Sequence, residues 1–131
     1  MLNASIIIVE DEAIIAADLS RKVERMGFQV LGTAGSAEEA VEIARRVCPQ
    51  LALMDINLDG PSNGIAAAKI IQELCDNLPV IFLSGEPDID SGHCTGLSGP
   101  CRFIAKPFER QTLVSEIKKI LNPHQSCAKR R

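Results

Sequence analysis

The sequence lacks any apolar stretch approaching the ~20 residues needed to cross a bilayer, and its first nine residues offer neither a basic leader nor the apolar run of a secretion signal. A soluble, cytoplasmic protein with no membrane partner is expected. An excess of positive charge is also missing: 14 Lys and Arg stand against 17 Asp and Glu, leaving a formal charge of -3. That balance gives no electrostatic grip on a phosphate backbone, so direct binding to nucleic acid is not expected. No C-x-x-C pair occurs. The five cysteines, at 48, 75, 94, 101 and 127, are odd in number and scattered, which gives a disulfide framework or a zinc site little support and favours reduced thiols. Internal repeats and low-complexity tracts are absent too.

What is present fits one domain. A chain of 131 residues with 46% hydrophobic residues can bury a single core. The expected division is a domain over residues 1–121 and a solvated, frayed tail over 122–131, NPHQSCAKRR. Four apolar runs, Ile6 to Val9, Leu51 to Met54, Val80 to Leu83 and Phe103 to Ala105, are short and do not alternate, as in parallel strands covered on both faces. Gln29 to Ala34 is a weaker strand.

Helical spacing fills the gaps. Ile15, Leu19, Val23 and Met26 fall on one helix face, with Gly27 as its stop. Ser36 and Glu39 form a capping-box pattern ahead of Ala40, Ala44 and Val47, and Pro49 ends that helix. A further helix is expected over Ile65 to Cys75, and a last one with Leu113, Ile117, Ile120 and Leu121 inward. The alternation of strand and helix implies a parallel sheet with helices on both sides.

One interval breaks the rhythm. From Ser84 to Cys101 the chain reads SGEPDIDSGHCTGLSGPC, rich in glycine and proline and without a 3.6-residue period. A loop or a single helical turn is expected where a full helix would otherwise sit. His93 beside Cys94 has no matched ligand pair and reads as a solvated histidine.

Polar residues gather at the strand ends. Glu10 and Asp11 follow the first strand in IIIVEDE, Asp55 ends LALMD, Ser84 ends VIFLS, and Lys106 follows RFIA. In an open parallel sheet these positions share one rim, where ligands bind. Each has a plain structural alternative: Asp11 as a helix cap, Asp55 as a turn former, Ser84 as a cap, Lys106 as a surface lysine. Those alternatives do not explain why all fall at strand ends together. Two charges ~4 Å apart repel by about 4 kcal/mol at an effective dielectric of 20, so three clustered carboxylates need counter-charge. A divalent cation and Lys106 would supply it, and oxygen ligands with open water positions suit Mg2+.

Taken together, IIIVEDE, MDIN, FLSG and AKPF resemble the receiver domain of two-component response regulators, of the chemotaxis-regulator kind, over roughly residues 4–121. The resemblance implies a flavodoxin-like doubly wound (βα)5 sandwich with strand order 2-1-3-4-5. It implies a bacterial phosphorelay in which Asp55 accepts a phosphoryl group from a histidine kinase or phosphotransfer protein and the modified domain then switches contacts with a downstream protein. Such a domain is a phosphoacceptor that assists its own phosphorylation and dephosphorylation, not an enzyme on a separate substrate. Residue by residue, Glu10, Asp11, Asp55 and the Asn57 carbonyl would bind Mg2+, and Lys106 would contact a phosphoryl oxygen, aimed by a cis Lys106-Pro107 bond. Ser84 and Phe103 would form the switch pair, and Asn57 and Glu86 would tune dephosphorylation.

The chain also departs from the usual receiver, since its fourth helix is expected to be short or missing. PVIFLSGE resembles, at Pro79, Phe82 and Gly85, a receiver subgroup with a P-F-x-F-A-T-G motif and a reduced fourth helix. Valine and serine replace that motif's first phenylalanine and its threonine, and leucine its alanine. The subgroup occurs as stand-alone receivers or at the end of hybrid kinases, and phosphorylation is expected to order or reposition residues 85–100 through the new charge. A phosphohydrolase of the haloacid-dehalogenase kind is disfavoured because VEDE lacks its D-x-D pattern. The remaining alternative is a phosphorylation-independent pseudo-receiver that acts as a binding module. About ten residues remain after the last helix, so a DNA-binding domain is not expected.

Overall fold

The computed structural model describes residues 4–56, 58, 63–85 and 96–121. Its elements run β1 (Ser5–Val9), α1 (Ala13–Arg25), β2 (Gln29–Ala34), α2 (Ala37–Arg46), β3 (Leu51–Asp55), α3 (Asn63–Leu74), β4 (Val80–Ser84), β5 (Cys101–Ala105) and α4 (Arg110–Leu121). All strand pairings are parallel, and the order across the sheet is β2-β1-β3-β4-β5. The chain reverses its direction of travel between β1 and β3, which places a topological switch point at the carboxyl ends of those two strands.

Strand parity explains the unalternating apolar runs. Ile7, Val9, Ala52, Met54, Val80 and Phe82 face a core shared with α2 and α3. Their sequence neighbours Ile6, Ile8, Leu51, Leu53, Ile81 and Leu83 face a second core shared with α1 and α4. Side chains of a strand point alternately to opposite faces, so a sheet with helices on both sides needs an apolar residue at every step. Each fully buried aliphatic side chain of this kind contributes about 1.5–3 kcal/mol.

The helix ends follow the local chemistry. Gly27, at φ 98°, ends α1 in the left-handed region; its N–H bonds the Glu24 carbonyl, and the Phe28 N–H reaches back to Val23, which together satisfy two last-turn carbonyls. At α2 the Ser36 hydroxyl accepts the Glu39 N–H, while the Glu39 carboxylate turns back to the Gly35 N–H, one residue earlier than in an ordinary capping box. One expectation is corrected: Ile15 does not join the buried face of α1. It is 42% exposed, and Ala16, Leu19 and Val23 are buried instead. Val47 is corrected likewise: α2 ends at Arg46, and Val47 follows in extended conformation, 56% exposed, leaving Ala40 and Ala44 as the buried residues of that helix.

Among the described residues no helix lies between β4 and β5, and none is long and apolar enough to span a membrane. Residues 86–95, on which the expectation of a reduced helix mostly rests, fall outside the described residues, as do His93, Cys94 and the tail. Residues 96–100 are tied to α3 by Gln72, which is fully buried. Its amide donates to the Leu78 carbonyl at 2.9 Å and accepts from the Ser98 and Gly99 N–H groups at 3.1 and 3.2 Å.

The expectation of unpaired thiols is also corrected: Cys48 and Cys75 form a disulfide across 27 residues of sequence. Spacing alone did not show it, because the two cysteines meet only once α2 and α3 pack side by side.

Candidate functional site

The site lies at the switch point. β1 delivers Glu10 and Asp11, β3 delivers Asp55, and the residue after β5 is Lys106. Carboxylate oxygens of Glu10, Asp11 and Asp55 all lie within 4.8 Å of one another. The Lys106 Nζ stands 3.8 Å from Glu10 Oε1 and 3.8 Å from Asp55 Oδ1. One ammonium therefore serves two of the three carboxylates.

Glu10 is the buried member, 4% exposed, whereas Asp55 is half-buried and Asp11 exposed. Its Oε2 accepts the Glu12 N–H at 3.2 Å, but its buried Oε1 has no hydrogen-bond partner. Burial pushes the Glu10 carboxyl above its ordinary value of 4.5. The Glu12 N–H opposes that shift, the Asp55 charge adds to it, Lys106 opposes it, and a hydrogen bond with Asp11 adds to it again. A buried acceptor oxygen facing two neighbouring carboxylates is an arrangement that a cation completes.

Asp11 is not spent on capping, since the residue preceding α1 is Glu12 and it makes no side-chain cap bond. Ser84 ends β4 and is buried. Asp55 pairs in register with Leu83, the residue before it, and the Ser84 carbonyl accepts the Lys106 N–H at 2.6 Å. These bonds hold the ends of β3, β4 and β5 at one level. Phe103 pairs with Phe82 in register, and their rings stack with centroids 5.2 Å apart. The Lys106-Pro107 peptide bond is cis. Asn57 and Glu86 fall outside the described residues.

The sequence reading missed Gly64. Its N–H bonds the Ile56 carbonyl at 3.0 Å, and a Cβ built there would sit 2.3 Å from the Asp55 carbonyl oxygen. Only glycine lets α3 start this close to the backbone that carries Asp55. The available signal was a glycine in the first turn of a helix pattern, where propensity argues against it.

A sequence profile for the response regulator receiver domain matches residues 6–118. The chain is 37% identical over 131 residues to the phyllosphere-induced regulator PhyR of Methylorubrum extorquens, covering 98% of this chain and 48% of that protein. It is 30% identical over 112 residues to the transcriptional regulatory protein PdtaR of Mycobacterium tuberculosis, covering 86% of this chain and 54% of the relative. The chain thus spans about half the length of these curated relatives, which are regulators rather than enzymes. Among solved structures, the anti-anti-sigma factor PhyR from Bartonella quintana aligns with a TM-score of 0.77 at 31% identity, over 98% of this chain and 51% of that one. The signal receiver domain of a modulated diguanylate cyclase from Desulfovibrio desulfuricans G20 aligns with a TM-score of 0.80 at 31% identity, over 94% and 97% of the two chains. Profile, sequence relatives and sheet order agree, and the chain belongs to the family of response regulator receiver domains.

Proposed function

We propose that this domain accepts a phosphoryl group on Asp55 from a phosphohistidine of a kinase or phosphotransfer protein, in a Mg2+-dependent reaction, and then changes its contacts with a downstream protein. The observation that carries the reading is the convergence of Glu10, Asp11 and Asp55 oxygens with the Lys106 ammonium between two of them. The donor set fits Mg2+: hard carboxylate oxygens, one of them buried without a hydrogen-bond partner. Glu10, Asp11 and Asp55 would hold the ion, with the Asn57 carbonyl as the resemblance implies. When bound, Mg2+ supplies positive charge against the phosphoryl oxygens.

The chain's own residues then have distinct tasks. An Asp55 carboxylate oxygen attacks phosphorus as the P–N bond to the donor imidazole breaks, and the imidazole leaves with the bonding pair. The product is an acyl phosphate, so the link is labile. Lys106 offsets negative charge on the transferring group, since such transfers depend on positioning and charge neutralisation more than on covalent help. The Ser84 hydroxyl donates a hydrogen bond to the new phosphoryl group, and that shift is passed to Phe103, whose ring lies against Phe82 on the same strand as Ser84. Asn57 and Glu86, two residues beyond Asp55 and Ser84 in the sequence, would tune the later hydrolysis of the acyl phosphate.

The downstream partner in this reading is a protein. The Bartonella quintana relative is described as an anti-anti-sigma factor, and an exchange of protein contacts suits a chain whose formal charge is -3. Action in the bacterial cytoplasm, where such kinases transfer phosphate, belongs to the same proposal. The test is incubation with acetyl phosphate and Mg2+, reading acid-labile phosphate on the native chain and on Asp55→Ala. Label on the native chain alone is expected. Label retained by the variant overturns the assignment of Asp55, and no label on either chain favours a phosphorylation-independent binding module.

A further inference from the structure

We infer that Cys48 and Cys75 form a reversible thiol–disulfide pair, a modification site that braces α2 against α3 at the edge of the sheet opposite the carboxylates. α2 and α3 leave the carboxyl ends of β2 and β3, run back against the strand direction, and end beside the amino ends of β3 and β4. Cys48 follows α2 and Cys75 directly follows α3, so both sit at that far edge. Their Cα atoms are 5.6 Å apart, a separation a disulfide spans without backbone movement. The two helices share one core, in which Ala44 and Ile71 pack just inside the pair.

Access is unequal, and this sets the order of reaction. Cys48 is exposed and Cys75 half-buried. The Cys48 thiolate attacks one sulfur of a small-molecule disulfide such as oxidised glutathione, and one small thiolate leaves. The Cys75 sulfur then attacks the Cys48 side of that mixed disulfide and expels the second small thiol. Two protein thiols are oxidised, one small disulfide is reduced to two thiols, and the two protons end on those thiols. A reducing pool reverses the sequence. The bond is thus a response to oxidant even in a compartment where thiols ordinarily persist.

The effect is on rigidity, not on phosphoryl chemistry. Closing a loop of this length restricts the unfolded chain, and a domain of this size gains roughly 10 °C in melting temperature from such a link. The test treats the full chain with oxidised or reduced glutathione, then maps the thiols by differential alkylation and peptide mass, alongside thermal melts. In oxidised glutathione, a peptide pair linked through Cys48 and Cys75 and a rise in melting temperature are expected. Cys48→Ser, at an exposed position, should abolish both, and Cys75→Ser should do the same. Label on Asp55 from acetyl phosphate should be equal in the oxidised and reduced protein. Three outcomes overturn the inference: the two cysteines stay on separate peptides, the linked and reduced proteins melt alike, or excess reduced glutathione fails to reopen the bond. Each is read without phosphorylation, so failure here leaves the assignment of Asp55 standing, and the converse also holds.

Discussion

Glu10 is where burial and charge conflict. Its carboxyl is raised above the ordinary value of 4.5, chiefly by burial, so as pH rises the unfolded chain gives up this proton before the folded one. Between the two pKa values the folded state binds more protons, so stability falls with rising pH. The contribution of Glu10 is fully present below the unfolded pKa and is lost as pH climbs through the raised folded value. Glu10→Gln removes that titration. In metal-free buffer, urea melts of the two proteins should therefore show the native chain losing stability relative to the variant as pH rises above the ordinary carboxylate range. A constant difference across that rise refutes the account. Lys106 is the opposing cation. Lys106→Met should leave Mg2+ binding in place but slow labelling of Asp55 by about 100-fold, the usual loss when one charge-stabilising donor is removed. Radiolabel incorporation over time measures it.

At the scale of elements, α3 holds the site's backbone at one end and the β4–β5 connection at the other. Gly64 sets the first contact. Gly64→Ala forces a methyl into the space 2.3 Å from the Asp55 carbonyl, so either β3 or α3 must shift. A loss of about 1–3 kcal/mol is expected, together with slower labelling of Asp55. Gly99→Ala is the matched control: its Cβ would lie 2.6 Å from the Asn77 carbonyl, far from Asp55 along the chain. It should destabilise the fold comparably while labelling of the folded fraction stays unchanged. Equal labelling defects in both variants would refute a specific role for Gly64. Gln72 sets the second contact. Gln72→Leu keeps the volume but strands the Ser98 and Gly99 N–H groups, and a cost of about 2–4 kcal/mol in denaturant melts is expected.

For the molecule as a whole, the strands and the carboxylate rim were legible because their signals are local. Each apolar run is its own strand, and each polar residue is read from its place at a strand end. Gly64, Gln72 and the Cys48–Cys75 pair were not legible, since each acts through a partner brought in by packing: the Asp55 backbone, residues 98–100, and the neighbouring helix. Ile15 and Val47 were misplaced because both lie at helix ends, where the spacing continues and the burial does not. The same distinction governs how the site couples to global stability. Its acids come from β1 and β3 and its ammonium from the end of β5, so charge at the rim acts on the sheet as a unit. Without a cation, three carboxylates face one ammonium, and Asp55→Asn should raise the melting temperature by relieving repulsion. With Mg2+ the native chain gains binding energy that the variant largely forgoes, about 2.7 kcal/mol when the ion is at 100 times its Kd. The order of the two melting temperatures should therefore cross as Mg2+ is added, with the variant higher in chelator and the native chain higher in excess ion. Parallel shifts in both proteins, or none in either, would mean that Asp55 is not among the ligands.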